Sequence, residues 1–264
     1  MLAIISPAKK LDFELSPNYP KFSLPVFLDR SKTLVKNAKL LSRTELGRTM
    51  NLSDKLSDLN YQRFQNFSTP FSLDNAKQAA LVFNGDTYIG LEASTLESAD
   101  LNFAQDHLRI LSGLYGVLKP LDLIQPYRLE MGARFQAPGG NDLYEFWKSS
   151  LASEINVAIN KHEDKTIINL SSVEYFKAVD QNILDGNVIT PVFKEVKNGV
   201  SKVISFSAKR ARGSMARYII KNRLQNPAQL KKFVDKGYNY SSDLSEKNTW
   251  VFTRNSNSVE KNKG

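Results

Sequence analysis

The side chains in this sequence most able to do chemistry are cations, and they are clustered. Between positions 194 and 232 there are eleven Lys or Arg and a single acid, Glu195, a net of +10 in 39 residues. The 264-residue chain as a whole carries +9, so the other 225 residues sum to −1. A local surface facing a polyanion accounts for this concentration better than a surplus kept for solubility. Within it, a helix expected over 209–224 would place Lys209, Arg210 and Arg212 in its first turn. There the macrodipole is positive and N–H groups lack partners, so each cation is disfavoured by about 0.3–1 kcal/mol. Three together suit an anion at that end, where free N–H groups and guanidinium forks converge on phosphate. Arg210, Ser214, Arg217 and Lys221 share one face of this helix, and Met215, Ala216, Ile219 and Ile220 cover the other. Arg212 falls inside the apolar arc and is expected to point into a crevice or a partner.

Other chemistries are poorly supplied. The chain has no cysteine, which removes disulfides, thiolate metal sites and cysteine catalysis. With only His107 and His162, a histidine-based metal cage is not expected, and neither a resident metal nor a cofactor is called for. No P-loop, dinucleotide-binding glycine pattern or nucleophile elbow occurs. Asp86, Glu130 and Glu174 could serve acid–base work, although sequence spacing does not tell their distances in space. Ser171-Ser172-Val173-Glu174 after a strand reads as a capping box, a structural account of Ser171 and Glu174. Lys9, Lys10 and Lys177 would form one cationic rim if the strands preceding them run parallel, since open α/β sheets bind ligands at strand carboxyl ends. Leu111-Ser112-Gly113-Leu114-Tyr115-Gly116, between an apolar-striped helix and Val117-Leu118-Lys119-Pro120, reads as a helix-hairpin-helix. The amides of such a hairpin hold DNA phosphates without reading bases. A helix C-cap is the structural account of Gly113. A second candidate over 46–67 lacks a hairpin glycine.

These residues must be positioned by a fold whose elements are partly legible. A composition of 41% hydrophobic and 24% charged residues belongs to an ordinary soluble globular protein. A strand is expected over 2–6, stopped by Pro7, then helices over 26–41, 45–50 and 53–66. Asp74 is expected to cap a helix leading into 79–83, and Leu101, Ala104, Leu108 and Leu111 form one helical stripe. A helix from 141 or 142 to 160 would bury Leu143, Phe146, Trp147, Leu151 and Ile155. Strands are expected over 166–170, 188–193, 202–207 and 250–253, with helices starting near 171 and 209. Asn198-Gly199 supplies a hairpin turn. The expectation is a mixed α/β (α+β) fold: a single compact domain over 1–254, with a mixed central sheet surrounded by helices and a basic cleft. The polar tail, 255–264, is expected to be disordered. No apolar run exceeds five residues and Met1 leads straight into Leu2-Ala3-Ile4-Ile5, so neither a membrane span nor a secretory signal is expected and the location is read as cytoplasmic.

Taken together, the motifs resemble the peroxide stress protein YaaA family. The resemblance rests on Ile5-Ser6-Pro7-Ala8-Lys9, Ser53-Asp54-Lys55-Leu56 with Arg63-Phe64, and Asn84-Gly85-Asp86-Thr87-Tyr88 with Gly90-Leu91. It continues through the block 111–132, which contains Pro126-Tyr127-Arg128-Leu129-Glu130-Met131-Gly132, then Glu174-Tyr175-Phe176-Lys177 and Lys209-Arg210-Ala211-Arg212-Gly213. Lys10, Asn84 and Arg210 depart from the pattern, standing where threonine, lysine and lysine are usual. The resemblance implies a cytoplasmic protein of the hydrogen peroxide response that limits free intracellular iron and oxidative DNA damage. It also implies a basic cleft and a helix-hairpin-helix that bind DNA with little sequence specificity. The candidate phosphate-contacting residues are Lys9, Lys55, Arg63, Arg109, Gly113, Gly116, Lys119, Arg128, Lys177, Lys209, Arg210, Arg212 and Arg217. The rival reading is an enzyme acting on a nucleotide or nucleobase in the same cleft, with Glu130 or Asp86 as acid or base. A third is a scaffold whose basic face meets an acidic protein. An acid beside a phosphate surface repels the ligand unless it pairs with arginine, and that pairing is the structural account of Glu130.

Overall fold

Strand β1, Leu2–Ile5, is apolar at every position and buried at every position, the signature of a strand covered on both faces. The computed structural model describes residues 1–14 and 19–255. After β1 come a short strand β2 (Lys10–Leu11) and three helices, α1 (Leu28–Leu40), α2 (Arg43–Met50) and α3 (Asp54–Asn66). Then follow β3 (Lys77–Gln78), α4 (Ala79–Val82), β4 (Phe83–Asn84), α5 (Asp86–Leu91) and α6 (Ser98–His107). The middle of the chain supplies β5 (Leu108–Ser112), β6 (Gly116–Leu118), β7 (Leu123–Ile124) and α7 (Leu143–Ile159). The remainder gives β8 (Ile167–Leu170), α8 (Val173–Phe176), β9 (Val188–Lys197), β10 (Val200–Lys202), α9 (Ser205–Lys221), β11 (Asn239–Ser241) and β12 (Thr249–Asn255).

The main sheet has eight strands in the order β11-β12-β9-β8-β1-β5-β6, with β10 also pairing to β9. Its centre, β12-β9-β8-β1-β5, is parallel throughout, and β6, β10 and β11 add antiparallel edges. The expected mixed α/β domain with helices around a mixed sheet is therefore what forms. Registers such as Ile5↔Ile110 and Ile5↔Leu170 bring the carboxyl ends of β1, β5 and β8 level. No helix among the described residues is long and apolar enough to cross a membrane. Of the expected tail, Asn255 closes β12 and the rest lies outside the described residues, as do positions 15–18.

Several local expectations are corrected. The stripe Leu101, Ala104, Leu108, Leu111 is split: α6 ends at His107, and Leu108 and Leu111 enter β5. The segment read as a helix-hairpin-helix is a buried β-hairpin, with Leu111 paired to Val117 and Ser112 to Gly116. Its turn is held by Ser112 Oγ accepting from Tyr115 N (3.0 Å) and by Gly116 at φ +72°, a left-handed value that glycine adopts freely. The mostly apolar run suits a helix or a strand equally, and pairing with β1 decides for strand. The second candidate does form a helix pair, α2–Asn51-Leu52-Ser53–α3, with Asn51 in the left-handed position (φ 51°, ψ 57°) where a glycine was sought. The pair is close because Gly47 has no side chain: a Cβ there would stand 2.5 Å from Ser57 Oγ.

The strand expected over 202–207 stops at Lys202, and the helix expected from 209 begins at Ser205. Its buried stripe runs back through Ala208 to Ala211, Met215 and Ile219, which overrides the β-like Val203-Ile204 pair. The capping box at Ser171 is absent: Ser172 occupies the cap position without a side-chain capping bond, its Oγ accepting from Ser6 Oγ (3.3 Å) instead, and Ser171 Oγ donates to Asn169 Oδ1 (2.7 Å). Asp74 caps no helix; its amide donates to Ser72 Oγ (3.3 Å) in a turn ahead of β3.

Candidate functional site

The chain leaves β1 at Ser6 and leaves β8 at Ser171, side by side. Ser172 N donates to Ser6 Oγ (2.8 Å) and Tyr88 OH donates to Ser6 O (3.1 Å), which fastens both strand ends to α5. The turn Pro7-Ala8-Lys9 then delivers Lys10 opposite Asn84 in the β2–β4 pair. A cleft of about 420 Å³ opens over these strand ends, lined also by Asp86, Arg128, Glu130, Glu174, Lys209 and Arg212. This is the edge of a parallel sheet where ligands are received.

Helix α9 reaches the cleft through two glycines. A Cβ on Gly213 would stand 1.7 Å from Thr87 O, and one on Gly90 would stand 2.0 Å from Arg210 O. α5 and α9 thus touch backbone to backbone, and Asp86-Thr87-Tyr88 comes to lie beside Lys209 and Arg212. Because α9 starts at Ser205, Lys209, Arg210 and Arg212 are not in its first turn; Ala208 N already donates to Ile204 O. The expected phosphate site on free N–H groups at this helix end is therefore not formed by these residues. Arg212 does face the cleft, and among the described residues its guanidinium has no hydrogen-bond or ion-pair partner. Burial pulls its pKa below the usual arginine value, the electrostatic cost of holding a lone cation there.

Glu130 is paired as expected. Its Oε1 accepts from Arg128 Nε (3.0 Å) and Nη2 (2.9 Å), and Lys9 Nζ lies 3.2 Å away. Its Oε2 is buried with no partner. Glu174 Oε1 accepts from Gly132 N (3.1 Å). Three tyrosines, Tyr88, Tyr127 and Tyr175, back the cleft; burial first, and their mutual proximity second, raises the pKa of Tyr88 and Tyr175. These phenols stay protonated and serve as hydrogen-bonding groups rather than bases.

A second hollow of about 570 Å³ shares Lys9, Arg128, Glu130 and Glu174 with the cleft and continues to Arg48, Asn51 and Arg134. Arg134 N donates to Thr49 O (3.1 Å), tying this end to the α2–α3 turn. Arg63, on α3, lies close enough to Arg128 for that charge, after burial, to lower its own pKa.

The structure therefore brings Lys9, Arg128, Lys209 and Arg212 to one cleft with Asp86 and Glu130, and it distributes the other candidates elsewhere. Arg210 is spent on Asp86 (3.1 Å). Arg217 donates to Leu91 O (3.1 Å) and Glu92 O (3.0 Å), capping the end of α5. Arg109 is buried in β5, donating to Gln105 O and Leu108 O (2.8 Å each). Gly113 lies against Leu129 O, and Gly116 lies under Trp147. Lys119 follows β6, away from the cleft, its amide bonded to Asp122 Oδ2. Lys177 does not join the cleft; its Nζ lies over the Tyr144 ring at 4.9 Å. Lys55 stands exposed in the first turn of α3. Arg48 and Arg134 were not candidates, and no local pattern marks them, since they meet only through the α2 packing. Tyr88, Tyr127 and Tyr175 stand inside the motifs quoted above, which gave them no role of their own.

The same motifs that build the cleft are what the chain shares with known proteins. The family profile described as peroxide stress protein YaaA matches residues 1–244. The chain belongs to the peroxide stress protein YaaA family. Similar relatives include a UPF0246 protein of Ralstonia nicotianae, 48% identical across 96% of this chain and 99% of that one. UPF0246 proteins of Colwellia psychrerythraea and Magnetococcus marinus are each 51% identical over the same shares of both chains. Family membership fixes the broad reading, a peroxide stress protein. Among the described residues no group of three His, Asp or Glu is arranged to hold a metal ion.

Proposed function

We propose that this peroxide stress protein acts in the cytoplasm by binding DNA through backbone phosphates, with little sequence specificity. The observation that carries the reading is the continuity of the two hollows. Lys209 and Arg212 at one end, Lys9 and Arg128 between, and Arg48 and Arg134 at the other form one cationic track beside the α2–α3 helix pair. A helix pair with a tight turn presents N–H groups to phosphate, which the buried β5–β6 hairpin does not. The limit on free iron belongs to the proposal through the family resemblance, as a consequence for DNA damage rather than as chelation by this chain.

Anisotropy titrations of a labelled duplex at several salt concentrations test it. Log affinity should fall linearly with log salt at a slope of about −0.9 per phosphate neutralised. Arg212→Ala should weaken binding about 10- to 150-fold, the equivalent of a lost charge-assisted contact worth about 1.5–3 kcal/mol. Lys231→Ala, which removes one charge held over the Tyr240 and Trp250 rings, should change it by about twofold or less. Salt-independent affinity, or equal losses in the two folded variants, would reject the reading.

One observation favours the enzymatic alternative, acid–base chemistry on a nucleotide or nucleobase. Glu130 keeps Oε2 buried and unpartnered while Oε1 takes every cation, an arrangement that costs about 1–3 kcal/mol in the resting protein. Under this alternative Glu130→Gln abolishes turnover of added nucleotides and spares binding; under the DNA reading no turnover exists to lose.

A further inference from the structure

We propose that the cleft itself seats a single nucleotide, its phosphate on Arg212 and the N–H edge of its base on Glu174. The inference rests on the phosphate reading of the same cleft but asks for more than backbone contact. A volume of about 420 Å³ lies within the range of about 300–1,000 Å³ typical of small-ligand clefts, so a duplex must lie across the opening rather than within it. Arg212 is the one α9 arginine in the cleft, and it has no partner, whereas Arg210 and Arg217 are bonded to α5. A mostly buried, unpaired guanidinium is relieved by an anion that enters the cleft.

The remaining lining is wrong for a site that handles phosphate alone. Pro7, Ala8, Leu129 and the side chains of Tyr88, Tyr127 and Tyr175 supply an apolar part of the lining. Glu174 stands in the same lining; Oε1 is engaged by Gly132 N, and Oε2 has no partner among the described residues. A carboxylate repels phosphate but accepts from the exocyclic amine or ring N–H of a base. An anionic end, a flat apolar body and an N–H donor edge together define a nucleotide. Two sources share that chemistry: a free nucleoside 5′-monophosphate, and a nucleotide turned out of a bound strand.

The test has two arms on the full chain. Calorimetry compares AMP, CMP, GMP and UMP with ribose 5-phosphate and inorganic phosphate. At least one nucleotide should bind about tenfold tighter than ribose 5-phosphate, equivalent to about 1.4 kcal/mol. Arg212→Ala should weaken all phosphates, Arg212→Lys should restore part of the loss, and Glu174→Gln should weaken the nucleotide while leaving ribose 5-phosphate nearly unchanged. In the second arm a duplex carries 2-aminopurine, whose fluorescence rises if the bound protein unstacks it. A rise that Glu174→Gln suppresses supports the strand-borne source even where free nucleotides bind weakly. If neither a nucleotide preference nor a fluorescence rise is seen, the proposal is overturned, and salt-dependent duplex binding in that case leaves the backbone reading standing. Nucleotide binding without duplex binding rejects the backbone reading and keeps this one.

Discussion

Replacing Gly213 with alanine sets two physical effects against each other, and the structure decides which should win. In a helix interior, Gly→Ala removes the flexibility of the unfolded chain and should stabilise by about 0.8–1.0 kcal/mol. Gly213 lies inside α9, so propensity alone forecasts a gain. The new Cβ, however, would stand 1.7 Å from Thr87 O and 2.9 Å from Leu91 N, both backbone atoms, where ordinary contact begins at 3.4 Å. α5 and α9 must then separate by about 1.7 Å, and no rotamer can absorb the shift. Overpacking typically costs about 1–3 kcal/mol, and a backbone obstacle belongs at the upper end or beyond. The net expectation is a loss of about 2 kcal/mol or more. That corresponds to a fall of about 4–8 °C in melting temperature for a chain of this size. Gly90→Ala meets Arg210 O at 2.0 Å across the same crossing, so the double variant should lose less than the sum of the singles. Calorimetric and urea unfolding of the three variants measure this. An unchanged or raised midpoint for Gly213→Ala would mean that the crossing is loose, and the argument that it positions Arg212 and Asp86 would fail with it.

Stability should also respond to mild acid through the two histidines. His107 and His162 stack at 4.3 Å, and His162 has a pKa pushed down to about 4, by burial first and then by the neighbouring N-terminal and His107 charges. A folded-state value below the ordinary 6.5 means the unfolded chain binds the extra proton. The associated stability is thus complete above about 6.5 and is lost as pH falls toward 4; urea midpoints should decline through that window, and His162→Gln should flatten the decline. At the α2–α3 turn, Asn51→Gly should stay within about 1 kcal/mol of the parent, while Asn51→Val should cost about 1–2 kcal/mol because a β-branched residue resists the left-handed region. Equal unfolding midpoints for the two would contradict the turn geometry.

Much of the scaffold was written locally. Leu2-Ala3-Ile4-Ile5 ahead of Pro7 could only be a short buried strand, the apolar spacing of α1, α3 and α7 marked helices, and Asn198-Gly199 marked a hairpin through two residues with positive φ (51° and 76°). Arg212 announced a crevice because its angle on α9 falls among Ala208, Met215 and Ile219. Tertiary structure decided what short-range pattern leaves ambiguous. Apolar residues of β5 and β6 fit either a helix or a strand until β1 offers backbone to pair with, and the expected strand stops short of Val203-Ile204 because α9 begins at Ser205 and buries Ala208 and Ala211. Above all, sequence gives the number of cations but not which remain free. Arg210 is neutralised by Asp86, 124 positions away, and Arg217 is engaged by the Leu91 and Glu92 carbonyls, 126 and 125 positions away, with the Glu92 carboxylate at 3.8 Å, whereas Arg212, between them, meets no acid. Charge pairing depends on distance in space, and only the crossing of α5 and α9 sets that distance.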